Sequence, residues 1–105
     1  MGNEQLLKEI GARINARRRE LKITQELLAE KMDVSIQMIS NLELGKKAIR
    51  PENLVNLCNV LQVSADYILF GRHSEHEMNE LVKRISQLSP KKQDILFDII
   101  NSWEK

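Results

Sequence analysis

Thr24-Gln25-Glu26-Leu27-Leu28-Ala29-Glu30-Lys31-Met32, then Asp33-Val34, then Ser35-Ile36-Gln37-Met38-Ile39-Ser40-Asn41-Leu42-Glu43-Leu44-Gly45 is the stretch whose reading decides the fold. It holds two short helical patterns, each opened by a hydroxyl residue. The side-chain oxygens of Thr24 and Ser35 can accept from orphan backbone N–H groups of a first helical turn, which makes both good N-caps. Gly45 can take the left-handed conformation that closes the second helix. Leu28, Met32, Val34, Ile39 and Leu42 fall where two helices crossing over a tight turn would face one core. Ala29 is small where those helices must approach most closely.

That pattern specifies a helix-turn-helix. Its second helix buries Ile39 and Leu42, with Met38 or Leu44 at the margin. The other face carries Ser35, Ile36, Gln37, Ser40 and Asn41, mostly short, neutral and hydrogen-bonding. A helix merely bathed in water usually carries Glu and Lys there. Gln and Asn amides suit base edges, because each can donate to and accept from adenine together in the major groove. The plainer alternative is a polar exterior on a small helical bundle.

Working outward, Leu6, Leu7, Ile10, Ile14 and Leu21 recur at helical spacing and predict a helix over residues 4–21. Gly11 inside it costs about 1 kcal/mol relative to Ala, and a close helix crossing would explain its presence. Pro51 suits the first position of a helix running to Leu61, with Glu52 favourable against its dipole. Ser64 caps a short helix with Tyr67, Ile68 and Leu69, ended by Gly71. Beyond a polar hinge, Met78, Leu81, Val82, Ile85 and Leu88 make one apolar stripe. Ser89-Pro90 starts another helix with Ile95, Leu96, Ile99, Ile100 and Trp103, Phe97 lying off the stripe. The class is all-α: five helices over residues 1–71, then two amphipathic helices over 72–105. The last two are too small to build a core alone. Their apolar faces must pack on the first domain or on a second copy of the chain, and the second copy is favoured.

Composition narrows the function classes. The chain has 105 residues, 42% of them hydrophobic but few aromatic, so it makes one domain with an appendage and an aliphatic core. Net charge is +1, with ten Lys/Arg against nine Asp/Glu over residues 1–71 and six against six after that. Overall charge therefore gives no support to nucleic-acid binding. The local clusters do: Arg13, Arg17, Arg18 and Arg19, and the pair Lys46-Lys47. Cys58 is the only cysteine, which excludes an internal disulfide or a multi-cysteine metal site; it falls on the Leu54, Leu57, Leu61 stripe as a core thiol. No apolar run approaches membrane-spanning length, and Met1 to Gln5 lack a signal-peptide layout, so the expectation is a soluble cytoplasmic protein without a membrane partner. His73 and His76 lie in the polar hinge, where an exposed linker explains them, and no plausible nucleophile stands beside them in the sequence. Neither an enzyme, a metal site nor a cofactor is expected.

Residues 10–71 resemble the lambda-repressor/Cro-like helix-turn-helix family, also called the XRE family. The matching residues are Ile10-Gly11, Arg13-Ile14, Arg18, Thr24-Gln25, Leu28-Ala29-Glu30-Lys31, Val34-Ser35, Ile39-Ser40, Leu42-Glu43, Gly45-Lys46-Lys47, Leu54 through Leu61, Val63-Ser64 and Tyr67-Ile68-Leu69. The resemblance implies a sequence-specific DNA-binding regulator. It puts Ile36, Gln37, Ser40 and Asn41 towards base edges and Ser35 on the backbone. Gln25 would brace a phosphate and a residue of the recognition helix, next to Thr24. Lys46, Lys47 and Arg50 would lie beside adjacent phosphates, with Arg13 and Arg17 as further phosphate candidates. Arg18 and Glu43 would form a charged pair that orients the recognition helix. Three positions depart from the family pattern: Asp33 and Gln62 stand where Gly is common, and Leu27 removes the acidic member of a capping box. Leu27 and Leu44 are expected to be exposed.

The leading functional expectation is a regulator, acting as a repressor, that binds a palindromic operator as a homodimer. Leu81, Ile85, Ile95, Leu96, Ile99, Ile100 and Trp103 would form the dimer contact. The alternative is an antitoxin-like interaction module whose C-terminal helices bind a partner protein.

Overall fold

The computed structural model describes residues 3–73 and 75–103, and all regular secondary structure among them is helical. The helices are α1 (Asn3–Glu20), α2 (Gln25–Met32), α3 (Ile36–Glu43), α4 (Pro51–Leu61), α5 (Ala65–Phe70), α6 (Glu75–Ser86) and α7 (Pro90–Trp103). The chain divides into two compact units, Met1–His73 and Ser74–Lys105.

In the first unit the helix starts are set by short polar side chains. Oγ1 of Thr24 accepts from the Leu27 N–H at 3.0 Å, and Oγ of Ser35 accepts from the Met38 N–H at 3.0 Å. Ser64 does the same for Tyr67 at 3.1 Å. Each bond satisfies a donor that the helix cannot reach internally. The core is Ile10, Ile14, Leu28, Ala29, Met32, Ile39, Leu42, Leu57, Leu61 and Ile68. Of these, Ile14, Leu28, Ile39, Leu57, Leu61 and Ile68 are fully enclosed. Each such side chain contributes about 1.5–3 kcal/mol by leaving water. Val34 and Met38 pack on this core from its margin, and so does Cys58, whose half-buried thiol is pushed up in pKa by that burial. Leu27 and Leu44 stay outside it, as do Leu6 and Leu21 at the ends of the α1 stripe.

Gly11 sits where α1 crosses α3. A Cβ there would run into the backbone carbonyl oxygens of Leu42 and Glu43, so only glycine lets the two helices approach this closely. Three residues other than glycine hold positive φ: Lys22 at 59°, Asp33 at 56° and Gln62 at 55°. Asp33 and Gln62 are the positions where the sequence departs from glycine. They still take the left-handed conformation, because the bonds from the Asp33 N–H to Glu30 O, from Val34 N–H to Ala29 O and from Val63 N–H to Cys58 O close α2 and α4 around it. Lys22 carries the same conformation after α1, which ends at Glu20 rather than at the expected residue 21.

In the second unit, Oγ of Ser89 accepts from the Lys92 N–H at 3.4 Å, and Pro90 opens α7. The Gln93 amide donates to the carbonyls of Ile85 at 3.1 Å and Leu88 at 3.0 Å, fastening the start of α7 to the end of α6. Neither helix buries a residue completely. Leu81, Ile95, Ile99 and Ile100 are roughly half exposed and Trp103 is 80% exposed. Ile85 and Leu96 are half-buried, whereas Phe97, off the stripe, is largely exposed.

Candidate nucleic-acid interface

Helix α3 presents its polar side outward. Ile36 and Gln37 are exposed, Ser40 and Asn41 half-buried, while Ile39 and Leu42 on the opposite side are in the core. The four side chains expected to face bases thus share one accessible side of one helix. Gln37 and Asn41 are also joined: Nε2 of Gln37 donates to Oδ1 of Asn41 at 3.1 Å.

Behind this face lies a charged anchor. Arg18 Nε donates to Oε2 of Glu43 at 2.7 Å, and Arg18 Nη2 donates to Oε1 at 3.1 Å. The side chains are only 10% and 4% exposed. Arg18 Nη1 also donates to the Ile23 carbonyl at 2.8 Å. Oε1 of Glu43 accepts two further bonds, from Asn15 Nδ2 at 2.7 Å and from Gln25 Nε2 at 3.0 Å. One carboxylate therefore ties α1, the start of α2 and the end of α3 together. Burial pushes the Glu43 carboxyl up, but the hydrogen bonds from Arg18, Asn15 and Gln25, with the Arg18 charge, more than offset this and hold it below the usual range. The bond to Glu43 raises the Arg18 pKa in turn, against the opposing effect of burial. The expected pair is present, and Asn15 is a member that sequence reasoning missed.

The cations divide by helical phase. Arg13 Nη1 donates to the Ile68 carbonyl at 3.0 Å, and Arg17 Nε donates to the Leu61 carbonyl at 2.8 Å. Both are expected as phosphate ligands; in the structure they close the last turns of α5 and α4, whose carbonyls lack helical partners and favour a cation. Asn15 and Arg19, one turn apart on another flank of α1, are placed differently. Arg19 is exposed and lines an open cleft of about 890 Å³ together with Thr24, Gln25, Ile36 and Ser40. Arg19 is thus the exposed member of the arginine run at the α2–α3 face, although the sequence reading counted it only within a basic cluster and gave it no contact of its own. The available signal is helical phase: at 100° per residue, Arg19 stands about 200° around α1 from Arg17.

Thr24 and Ser35 accept bonds through their oxygens, which leaves each hydroxyl hydrogen able to donate to an anion. Gln25 reaches the anchor rather than solvent, but stays half-buried at the cleft wall. A smaller groove of about 340 Å³ runs on the other side of α3, lined by Ser35, Gln37, Asn41, Lys47 and Arg50 among others. Lys46, Lys47 and Arg50 are exposed. Arg50 meets Glu52 at 3.5 Å in a surface pair worth at most about 1 kcal/mol. The outward side of α3 is therefore flanked by cations: Arg19 over one cleft, Lys47 and Arg50 over the other.

Comparison with known proteins agrees with this geometry. A helix-turn-helix family model matches residues 14–68. The chain is 38% identical over 87 residues to the HTH-type transcriptional regulator DicA of Escherichia coli, covering 83% of this chain and 64% of DicA, so it spans slightly less than two thirds of that relative. It is similar to the crystal structure of the c2 repressor of Salmonella phage P22 in complex with a synthetic operator, with TM-score 0.59 and 43% identity over 60% of this chain and 96% of that one. It also resembles a SinR/SinI protein complex, with TM-score 0.57 and 28% identity over 90% of this chain and 96% of that one. The chain, with α2 and α3 packed across the Asp33 turn and anchored through Glu43, belongs to the lambda-repressor/Cro-like (XRE) helix-turn-helix family.

Proposed function

We propose that this protein is a sequence-specific DNA-binding transcriptional regulator that represses by occupying a palindromic operator as a homodimer in the cytoplasm. The observation that carries the reading is the outward side of α3, where Ile36, Gln37, Ser40 and Asn41 stand together on a helix clamped from behind by Arg18 and Glu43. Gln37 and Asn41 carry hydrogen-bonded readout, and Ile36 packs on a thymine methyl. Thr24, Ser35, Arg19, Lys46, Lys47 and Arg50 hold phosphates and fix the register without specifying sequence. Gln25 acts on this surface through Glu43. The c2 structure, in complex with a synthetic operator, supports this use of the fold.

The half-exposed stripe of Leu81, Ile95, Ile99 and Ile100, with Trp103 at its end, supports pairing of two copies through α6 and α7. Two α3 helices then enter successive major grooves, with half-sites about one helical turn apart. A second reading rests on the same stripe and on the likeness to a SinR/SinI complex over 90% of this chain: α6 and α7 bind a partner protein in the manner of an antitoxin. Selecting bound duplexes from random DNA tests the first reading, and recovery of a two-fold-related motif is the expected result. An unenriched pool would refute it. The mass of the purified chain in solution separates a stable dimer from a monomer that awaits a partner.

A further inference from the structure

We infer that two copies of this chain join along α7 in antiparallel register, with Lys92 of each copy seated on the Trp103 ring of the other. This deepens the homodimer reading proposed above and rests on it. Lys92, Leu96, Ile99 and Trp103 follow one another at spacings of four, three and four. At 100° per residue they fall within about 60° of one another around the helix. Ile95 and Ile100 border this strip. Alternation of four and three is the spacing of a seam between two paired helices. The strip also reads the same from either end: reversing the helix exchanges Lys92 with Trp103, Ile95 with Ile100 and Leu96 with Ile99. A two-fold axis passing between Leu96 and Ile99 therefore lays it on a copy of itself. Self-complementarity is what an interface between identical chains requires, and a seam for a foreign helix has no need of it.

The two ends of the strip decide its direction. Lys92 is exposed at the start of an otherwise apolar strip, and Trp103 is 80% exposed at the other end. A parallel pair would set Lys92 beside Lys92, like charge against like. In the antiparallel pair each ammonium instead meets the face of the other copy's indole, the ring that attracts a cation most strongly. It also lies beside the last carbonyls of the other α7, where a cation is favoured. The last turn of α7 holds no basic residue of its own. Each end thus supplies what the other lacks. Ile95, Ile99 and Ile100, all roughly half exposed, leave water in the same contact.

The test introduces Lys92→Cys and Trp103→Cys, singly and together, into the full chain carrying Cys58→Ala, followed by oxidation with glutathione disulfide. Within one chain the two positions stand about 16 Å apart along the helix, beyond the reach of a disulfide, so a bond between them must join two copies. The double variant is expected to run as a covalent dimer on non-reducing gels, and each single variant as a monomer. In sedimentation experiments Lys92→Glu should raise the dimer dissociation constant about tenfold, and Lys92→Arg should stay within about twofold of the parent. The inference is overturned if either single variant cross-links as readily as the double one, if the double one does not cross-link, or if Lys92→Glu leaves the constant unmoved. In each of those cases a dimeric parent still supports the homodimer reading. A parent that is monomeric at every concentration refutes that reading, and this seam with it.

Discussion

Replacing Glu43 with Gln keeps the size of the side chain and removes its charge, which isolates the anchor behind α3. The carboxylate accepts four hydrogen bonds from Arg18, Asn15 and Gln25 and is 4% exposed. A Gln amide has one acceptor oxygen in place of two, so its NH2 group would face a guanidinium N–H. Arg18 would be left buried without a counter-charge. Losing one partner of such a pair costs about 3–5 kcal/mol when enclosure is complete. Asn15 and Gln25 are half-buried and can turn to water, so the lower figure, about 3 kcal/mol at pH 7, is expected. A domain of this size has only about 4–11 kcal/mol in total. The loss lowers its Tm by roughly 12–24 °C. Urea unfolding followed by far-UV circular dichroism reads this directly; fluorescence is the wrong probe, because the single tryptophan, Trp103, lies on α7 in the other unit. The sign of the pH dependence follows from the lowered Glu43 pKa. The unfolded chain binds the proton more readily, so the stability from this carboxylate is present above about pH 4.3 and is lost as pH falls through the lower folded value. The gap between parent and Glu43→Gln should close over that window. The double variant Arg18→Met/Glu43→Leu, which leaves no charge uncompensated, should recover most of the loss. A difference below about 1 kcal/mol at pH 7, typical of a solvated surface pair, would refute the reasoning.

Gly11→Ala should destabilise the domain by about 1–3 kcal/mol through the clash with the carbonyls of Leu42 and Glu43, although Ala is the better helix former by about 1 kcal/mol; stabilisation in a thermal melt would contradict the close crossing. Arg19→Ala should weaken binding to operator and to random DNA about equally and flatten the salt dependence by about one charge per site, with Lys46→Ala behaving alike. Arg17→Ala should instead lower stability, because its guanidinium holds the Leu61 carbonyl; fluorescence anisotropy at several salt concentrations, with melts alongside, separates the two effects. Ile99→Asp should dissociate a homodimer built on α6 and α7, read by light scattering, and lower operator affinity at fixed chain concentration.

The path of the chain was largely legible because its signals are local. Thr24, Ser35 and Ser64 cap the helices they were read as capping, Ser89 stands at the helix start where it was expected, and Gly45 and Gly71 hold positive φ after α3 and α5. Apolar spacing picked out the buried sides of α2, α3 and α4 for the same reason: period and burial coincide on a short helix. The arginine run was harder. Four cations within seven residues look alike as a sequence, yet a rotation of 100° per residue sends Arg13 and Arg17 to the C-terminal carbonyls of α5 and α4, Arg18 inward, and Arg19 to the cleft beside α2 and α3. Asn15 escaped notice because its partner is 28 positions away, and no pattern in the linear sequence marks it. The bond between Gln37 and Asn41 is an i, i+4 contact. The spacing allowed it, but only side-chain positions reveal which amide donates.

The most direct measurement is competition between operator and random-sequence DNA for the parent chain, Gln37→Ala and Asn41→Ala. Each variant should lose about 1–3 kcal/mol of discrimination while its affinity for random DNA stays close to that of the parent. Unchanged discrimination in both variants would mean that the outward amides of α3 do not read bases.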